Sequence, residues 1–433
     1  EAEVRDEESA PPQDHGDTSD DARHLPMTDP TEMSGRLSRR RFLTGGAAAA
    51  GGVALAGTGY AVARATETTP PADAVGQAVE PFHGPHQAGI ATAPQATATF
   101  IAFDLDDSVD VDALRRLMLL WTEDARRLTQ GQPTLADTEP ELAGVPARLT
   151  VTVGFGPAVF ARPELADQRP DWLAPLPAFP TIDEIDDAYS GGDLLLQLGA
   201  DDPTTLSHAQ RMMTKSARAF ARVRWVQPGF THGAGGVTPG TTPRNLMGQV
   251  DGTANPRPGT DDFDQIVWST GQPAWVQGGT GIVIRRIRME LDTWDALERP
   301  AKEQIIGRRL DTGAPLTGED EFDEPDFEAV GQDGLTVIPD FAHIRNAHSD
   351  SPSRQFLRRP FSYDAGWLPD GRPDVGLLFV VYAADITTQF VPVQQRLAEN
   401  DLFNTWTTPV GSAVFAIPPG CGPGGYLGET LLG

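Results

Sequence analysis

Residues 193–229, DLLLQLGADDPTTLSHAQRMMTKSARAFARVRWVQPG, decide the fold. DLLLQLGADD (193–202) is a near-continuous apolar run of strand length, so it reads as a buried strand. A helical pattern follows over 204–222, and ARVRWVQPG (221–229) reads as a second strand ending at Pro-Gly. Working upstream, TATFIAFDLD (97–106) has the β-branched and aromatic content of a strand. DVDALRRLMLLWTEDARRL (110–128) places Leu114, Leu117, Leu120 and Trp121 at helical spacing, with Asp110 as its N-cap. ARLTVTVGFGP (147–157) reads as a strand closed by Gly-Pro. The order strand, helix, strand, strand, helix, strand is that of a ferredoxin-like unit.

The theme repeats downstream. GGTGIVIRRIRMEL (278–291), DVGLLFVVYAAD (374–385) and GSAVFAIPP (411–419) read as strands, with helices at 294–310 and 387–400. The fold expected is therefore α+β, with two ferredoxin-like domains of antiparallel sheet and flanking helices, at 66–240 and 241–433. Residues 1–33 are acidic and rich in Pro, Ser and Asp, and cannot bury a core. Residues 34–65 contain SRRRFLTGG, then an Ala/Gly-rich apolar run ending in Ala63-Arg64-Ala65. That is the pattern of a twin-arginine export signal with its cleavage site. A mature chain would begin near Thr66, and its lack of long apolar runs predicts a soluble protein.

Bulk charge excludes whole classes of partner. Lys and Arg number 34 against 61 Asp and Glu, a formal charge of −27 in 433 residues. Such a surface repels nucleic acid and anionic membrane. With Cys421 alone, the chain has neither an internal disulfide nor a thiolate metal cluster, and a structural role suits that cysteine better than a nucleophilic one.

Common catalytic signatures are missing: H-E-x-x-H and Cys/His zinc spacing, G-x-S-x-G, and a G-x-G-x-x-G opening a helix. Two stretches remain. GQVDGTANP (248–256) combines the Asp-Gly hairpin signal with a carboxylate, Asp251, that is either a turn former or an acid–base group. FAHIRNAHSDSPSRQFLRRPFSYD (341–364) holds two histidines and several arginines. In extended chain His343 and Arg345 fall on one side, where an imidazole could bind a metal and a guanidinium a carboxylate. A buried, hydrogen-bonded histidine beside solvated arginines fits the same spacing.

Further motifs occur in order along the chain: FHGPHQAGI (82–90), LTVTVGFGP (149–157), PRNLMGQVDGTANP (243–256), AHIRNAH (342–348), FLRRPFSYD (356–364) and GLLFVVYAADITTQFVPVQQRL (376–397). Together they resemble the dye-decolourising peroxidases, across the whole mature chain, and the leader resembles that of the exported branch found beside bacterial iron-uptake systems. The resemblance implies two ferredoxin-like domains enclosing haem b. It implies reduction of hydrogen peroxide and oxidation of dyes, phenols and other aromatic donors. Export through the twin-arginine machinery would bring the protein to the periplasmic or extracellular side; a homo-oligomer is left open.

Carried over by position, His343 would be the iron ligand, with Asp385 accepting from its other ring nitrogen. Arg345 would pair with a haem propionate. Asp251 would move a proton between the peroxide oxygens, Arg358 would stabilise the developing charge, and Asn255 would orient a water or the carboxylate. Arg359 is the adjacent alternative to Arg358. A carboxylate beside an arginine keeps its charge further into acid, which predicts activity favouring acidic pH. Surface Trp or Tyr residues would relay electrons, with Trp367, Tyr363 and Tyr382 as candidates. The chain departs from the family pattern at Gln249, Val250, His348 and Pro360, and His348 is a second candidate for the axial ligand. Haem dechelation, porphyrinogen oxidation and haem carriage are the alternative functions.

Overall fold

The computed structural model describes residues 76–233, 236–238, 240–349 and 351–433. The acidic segment 1–33 and the twin-arginine segment 34–65 lie outside the described residues. Strands β1 (Thr97–Leu105), β2 (Thr150–Phe155), β3 (Leu194–Ala200) and β4 (Ala221–Phe230) pair antiparallel in the order β2-β3-β1-β4. Helices α1 (Val111–Leu128) and α2 (Pro203–Ala217) cover one face. Each starts where an aspartate caps it: Asp110 accepts from the Ala113 amide and Asp202 from the Thr205 amide, with Pro203 in the first turn of α2. Leu117, Trp121 and Met213 meet Phe103, Val153 and Leu196 there in a fully buried core.

The second half repeats the arrangement. Strands β5 (Thr280–Met289), β6 (Leu357–Arg358), β7 (Phe361–Trp367), β8 (Pro373–Ala383) and β9 (Thr407–Ile417) give the order β9-β5-β8-β7, with β6 also on β8. Its helices are α3 (Asp261–Val267), α4 (Leu291–Asp295), α5 (Arg299–Ile306), α6 (His343–Ala347), α7 (Ile386–Asn400) and α8 (Glu429–Leu432). The two sheets meet at both edges through single pairs, Phe155 with Ala416 and Phe230 with Ser362, so the nine strands close into an antiparallel barrel.

Because side chains alternate along a strand, each sheet has an inner and an outer face. Inside, Ile282, Ile284, Leu378 and Val380 pack on Phe100, Ala102 and Leu195. One polar pair there crosses the halves: the Tyr382 hydroxyl donates to Gln197 Oε1 at 2.6 Å. Arg286 lies between the rings of Tyr189 and Tyr363, 4.3 and 4.1 Å from their centroids, and pairs with Asp374. Outside, Ile287 and Met289 of β5 and Leu377 and Phe379 of β8 line a cavity on one side and pack on Trp294 of α4 and Ile306 of α5 on the other.

Two local expectations change. The single helix expected over 294–310 is split into α4 and α5, because Pro300 cannot continue α4 but fits the first turn of α5. The stretch 341–364, read as extended around His343, contains α6, followed by β6 and the start of β7. No helix among the described residues is long and apolar enough to cross a membrane.

Candidate active site

A cavity of about 690 Å³ opens between the outer face of β5 and β8, the loop carrying Asp251, helices α6 and α7, and the loop at 321–325. Two ion pairs face into it.

The first joins His343 to Asp401. His343 opens α6, and its Nδ1 lies 2.6 Å from Asp401 Oδ2. Asp401 follows the last residue of α7 and its other oxygen accepts from the Phe403 amide, so the carboxylate is fixed and nearly fully buried. The imidazole is 30% exposed, and the cavity it lines receives that exposure. Burial pulls its pKa down; the charge and hydrogen bond of Asp401 outweigh this, and the net direction is up from the ordinary histidine value. With Nδ1 committed to Asp401, Nε2 is the ring nitrogen left for another partner.

The second pair joins Asp251 to Arg358, with Arg358 Nη1 3.3 Å from Asp251 Oδ1. The Asp251 amide donates to the Pro243 carbonyl at 2.9 Å, just beyond an antiparallel bridge of Arg244 with Val250. The reversal of the chain is therefore at 245–248, where Gly248 has φ +79°, and Asp251 is displayed after the turn. Arg358 is gripped from two sides. Its strand pairs with Val381, and the Asn255 side chain both accepts from the Arg358 amide (3.0 Å) and donates to its carbonyl (2.7 Å).

Several expected placements are corrected. Asp385 does not reach His343; it caps the N-terminus of α7 by accepting from the Thr388 amide at 3.0 Å. The carboxylate that does is Asp401, beyond the other end of the same 15-residue helix. Arg345 is turned away from the cavity: it stacks on Phe327, donates to the Phe327 and Ile338 carbonyls and pairs with Asp340. The reason is α6. Two residues along a helix are about 200° apart, whereas in a strand they share a side. The Asn255 side chain clamps the Arg358 backbone. Arg359 points to the opposite face of β6, where it is buried against the Thr92 and Ala93 carbonyls and Gln95. Of the two arginines, Arg358 is the one in the cavity.

His348 also lines the cavity, with Nε2 4.0 Å from Glu324. The charged lining residues that the sequence reading did not single out include Asp401, Arg308 and Glu321. Only Asp401 had a local signal, the Asn-Asp step that ends α7. Burial pushes the Arg308 guanidinium pKa down, and the charge of Arg358 acts in the same direction.

Comparison with known proteins bears on this cavity. A family model described as Dyp-type peroxidase, N-terminal, matches residues 87–231, and one described as Dyp-type peroxidase, C-terminal, matches residues 242–422. A dye-decolorizing peroxidase of Thermobifida fusca is 39% identical, over 94% of this chain and 100% of that protein. A deferrochelatase of Escherichia coli O157:H7 is 37% identical, over 91% and 97%. The crystal structure of a DyP-type peroxidase from Cellulomonas bogoriensis superposes with a TM-score of 0.80 at 52% identity, covering 82% of this chain and 99% of that one.

Proposed function

The chain belongs to the Dyp-type peroxidase family, and from that premise we propose how its cavity serves a haem-dependent reduction of hydrogen peroxide. It is an oxidoreductase with peroxide as acceptor and haem as cofactor, oxidising organic donors. The residues present fit haem. The cavity volume falls within the roughly 300–1,000 Å³ of small-molecule and cofactor sites. Phe356, Leu377 and Phe379 supply an apolar wall, and one ring nitrogen of His343 has no hydrogen-bond partner among the described residues.

When bound, haem would supply the iron and the electron-transfer chemistry of the reaction. His343 Nε2 would hold that iron, while Asp401 accepts the Nδ1 proton, fixes the tautomer and raises the ring's basicity. Asp251 takes the proton from one peroxide oxygen and returns it to the other, so that water can leave. Arg358 supplies fixed positive charge as the O–O bond breaks. Asn255 keeps Arg358 in reach by holding its backbone. Arg354, on the cavity lining, would be the arginine available to a haem propionate in place of Arg345.

The observation that carries this reading is that an imidazole–carboxylate pair and a carboxylate–guanidinium pair face one cavity. Its test is His343→Ala, which should lose the haem Soret band while far-ultraviolet circular dichroism stays unchanged. Normal haem coordination in that variant would move the ligand to His348.

The like strand order of the two halves, β2-β3-β1-β4 and β7-β8-β5-β9, supports reading them as two ferredoxin-like units divided near residue 240. Arg39, Arg40 and Arg41 support export by the twin-arginine route, to the periplasmic or extracellular side. Replacing them by lysines and following the exported fraction tests this. The deferrochelatase relatives favour one second reading, removal of iron from haem in this same cavity. Release of fluorescent protoporphyrin from added haemin, without peroxide, would select it.

A further inference from the structure

Reduction of peroxide needs more protons than Asp251 supplies. H₂O₂ + 2e⁻ + 2H⁺ gives two waters, with the O–O bond broken and both electrons taken from the organic donors. A proton moved by Asp251 between two oxygens of one peroxide brings none in. Two must enter the cavity from solvent in each turnover.

We infer that Glu321 is the carboxylate through which those protons enter, passing them from solvent towards the Asp251–Arg358 end of the cavity. The inference rests on the reading of this cavity as the peroxide site. Glu321 is half-buried and lines the same cavity. One of its oxygens, Oε1, accepts from the hydroxyls of Thr242 and Thr253. Thr253 lies two residues after Asp251, so the two carboxylates are held on one loop. The other oxygen, Oε2, hydrogen-bonds to none of the described residues and is left for water. A carboxylate anchored by one oxygen and open at the other can take up and release a proton without losing its place.

The charges around Glu321 connect it to the reacting end. Arg308 donates to the Glu321 carbonyl at 2.9 Å, and its guanidinium feels burial first, then Arg358, then the opposing charges of Glu321 and Glu324. Arg358 in turn holds Asp251. Glu324 stands on the same loop, 4.0 Å from His348. Asp251 has both oxygens engaged, one by Arg358 and the other by Asn245 Nδ2 (3.4 Å).

Glu321→Gln tests the inference in the haem-loaded enzyme. Consumption of peroxide in a single turnover should stay within about twofold of the parent. The return step driven by a donor should slow about tenfold, with a larger solvent deuterium isotope effect. Glu321→Asp should restore most of that rate. An equilibrium readout is independent of turnover: binding of hydrogen cyanide to the ferric enzyme leaves a proton in the cavity. The pH dependence of that binding should differ from the parent's in Glu321→Gln, and differ in another way in Asp251→Asn. If Glu321→Gln fails to hold haem, Thr253→Val keeps the carboxylate and should change the pH dependence in the same direction. A Glu321→Gln or Thr253→Val profile superimposable on the parent's overturns the relay, as does equal slowing of both half-reactions. An unchanged profile in Asp251→Asn alone would instead overturn the site reading.

Discussion

In the first half of the barrel α1 and α2 lie directly on the outer sheet face, and Leu117, Trp121 and Met213 fill the space. In the second half the corresponding face, at Ile287, Met289, Leu377 and Phe379, lines the cavity on one side and packs on Trp294 and Ile306 on the other. The strand orders are alike; the coverings differ. Where the first half has an unbroken helix of 18 residues, the second has α4 and α5, cut by Pro300, and a long excursion before β6 that carries His343. A half-barrel acquires a site by keeping part of the helical layer away from its sheet. The polar groups that line the gap are held by ion pairs with one another, together with caps and backbone hydrogen bonds.

The largest effect that would break this contrast is chemical. Asp251→Asn should lower the rate of reaction with peroxide by about 10²–10⁴-fold under stopped flow in acid, with melting temperature nearly unchanged. A rate within a few-fold of the parent would leave Arg358 to carry the step. Next comes packing. Trp121→Ala, in the filled half, should cost about 3–5 kcal/mol in denaturant unfolding. Phe379→Ala, beside space already open, should cost under about 2 kcal/mol and loosen haem instead. Similar costs would mean that both halves are packed alike.

The smallest effect concerns Asp401. Asp401→Asn should weaken haem binding by about 10–100-fold, as loss of a ligand's hydrogen-bond partner does. The direction with pH follows from His343. Its raised value means that the haem-free fold binds the ring proton more tightly than the unfolded chain does. That stabilisation is complete below about 6.5, the unfolded value, and disappears as pH rises through the raised folded value. Haem needs the neutral ring, so its affinity should fall as pH drops through that same raised value. In Asp401→Asn the fall should begin at lower pH, as read from the Soret band. An onset that does not move would separate His343 from Asp401.

Much of this was legible in the chain. Strands read from apolar runs lie within a few residues of β1 to β5, β8 and β9, because a buried strand must be apolar on both faces and carries its evidence locally. Asp110 capped its helix as expected for the same reason. Asp251, Arg358 and His343, picked from motifs far apart in sequence, line one cavity.

What the sequence by itself determined, then, was the set of elements, their order and the residue types able to do proton and metal chemistry. Tertiary structure alone decided which of those residues meet. Whether Arg345 follows His343 into the cavity depended on α6, since a helix sends residues two apart in opposite directions while a strand keeps them together. Whether Asp385 or Asp401 serves His343 depended on how α7 lies, for both flank that helix and only one end reaches the ring. Arg358 and Arg359 were separated by the side of β6 on which each falls. Such choices turn on angles between elements distant in the chain, and no local pattern of residues records them.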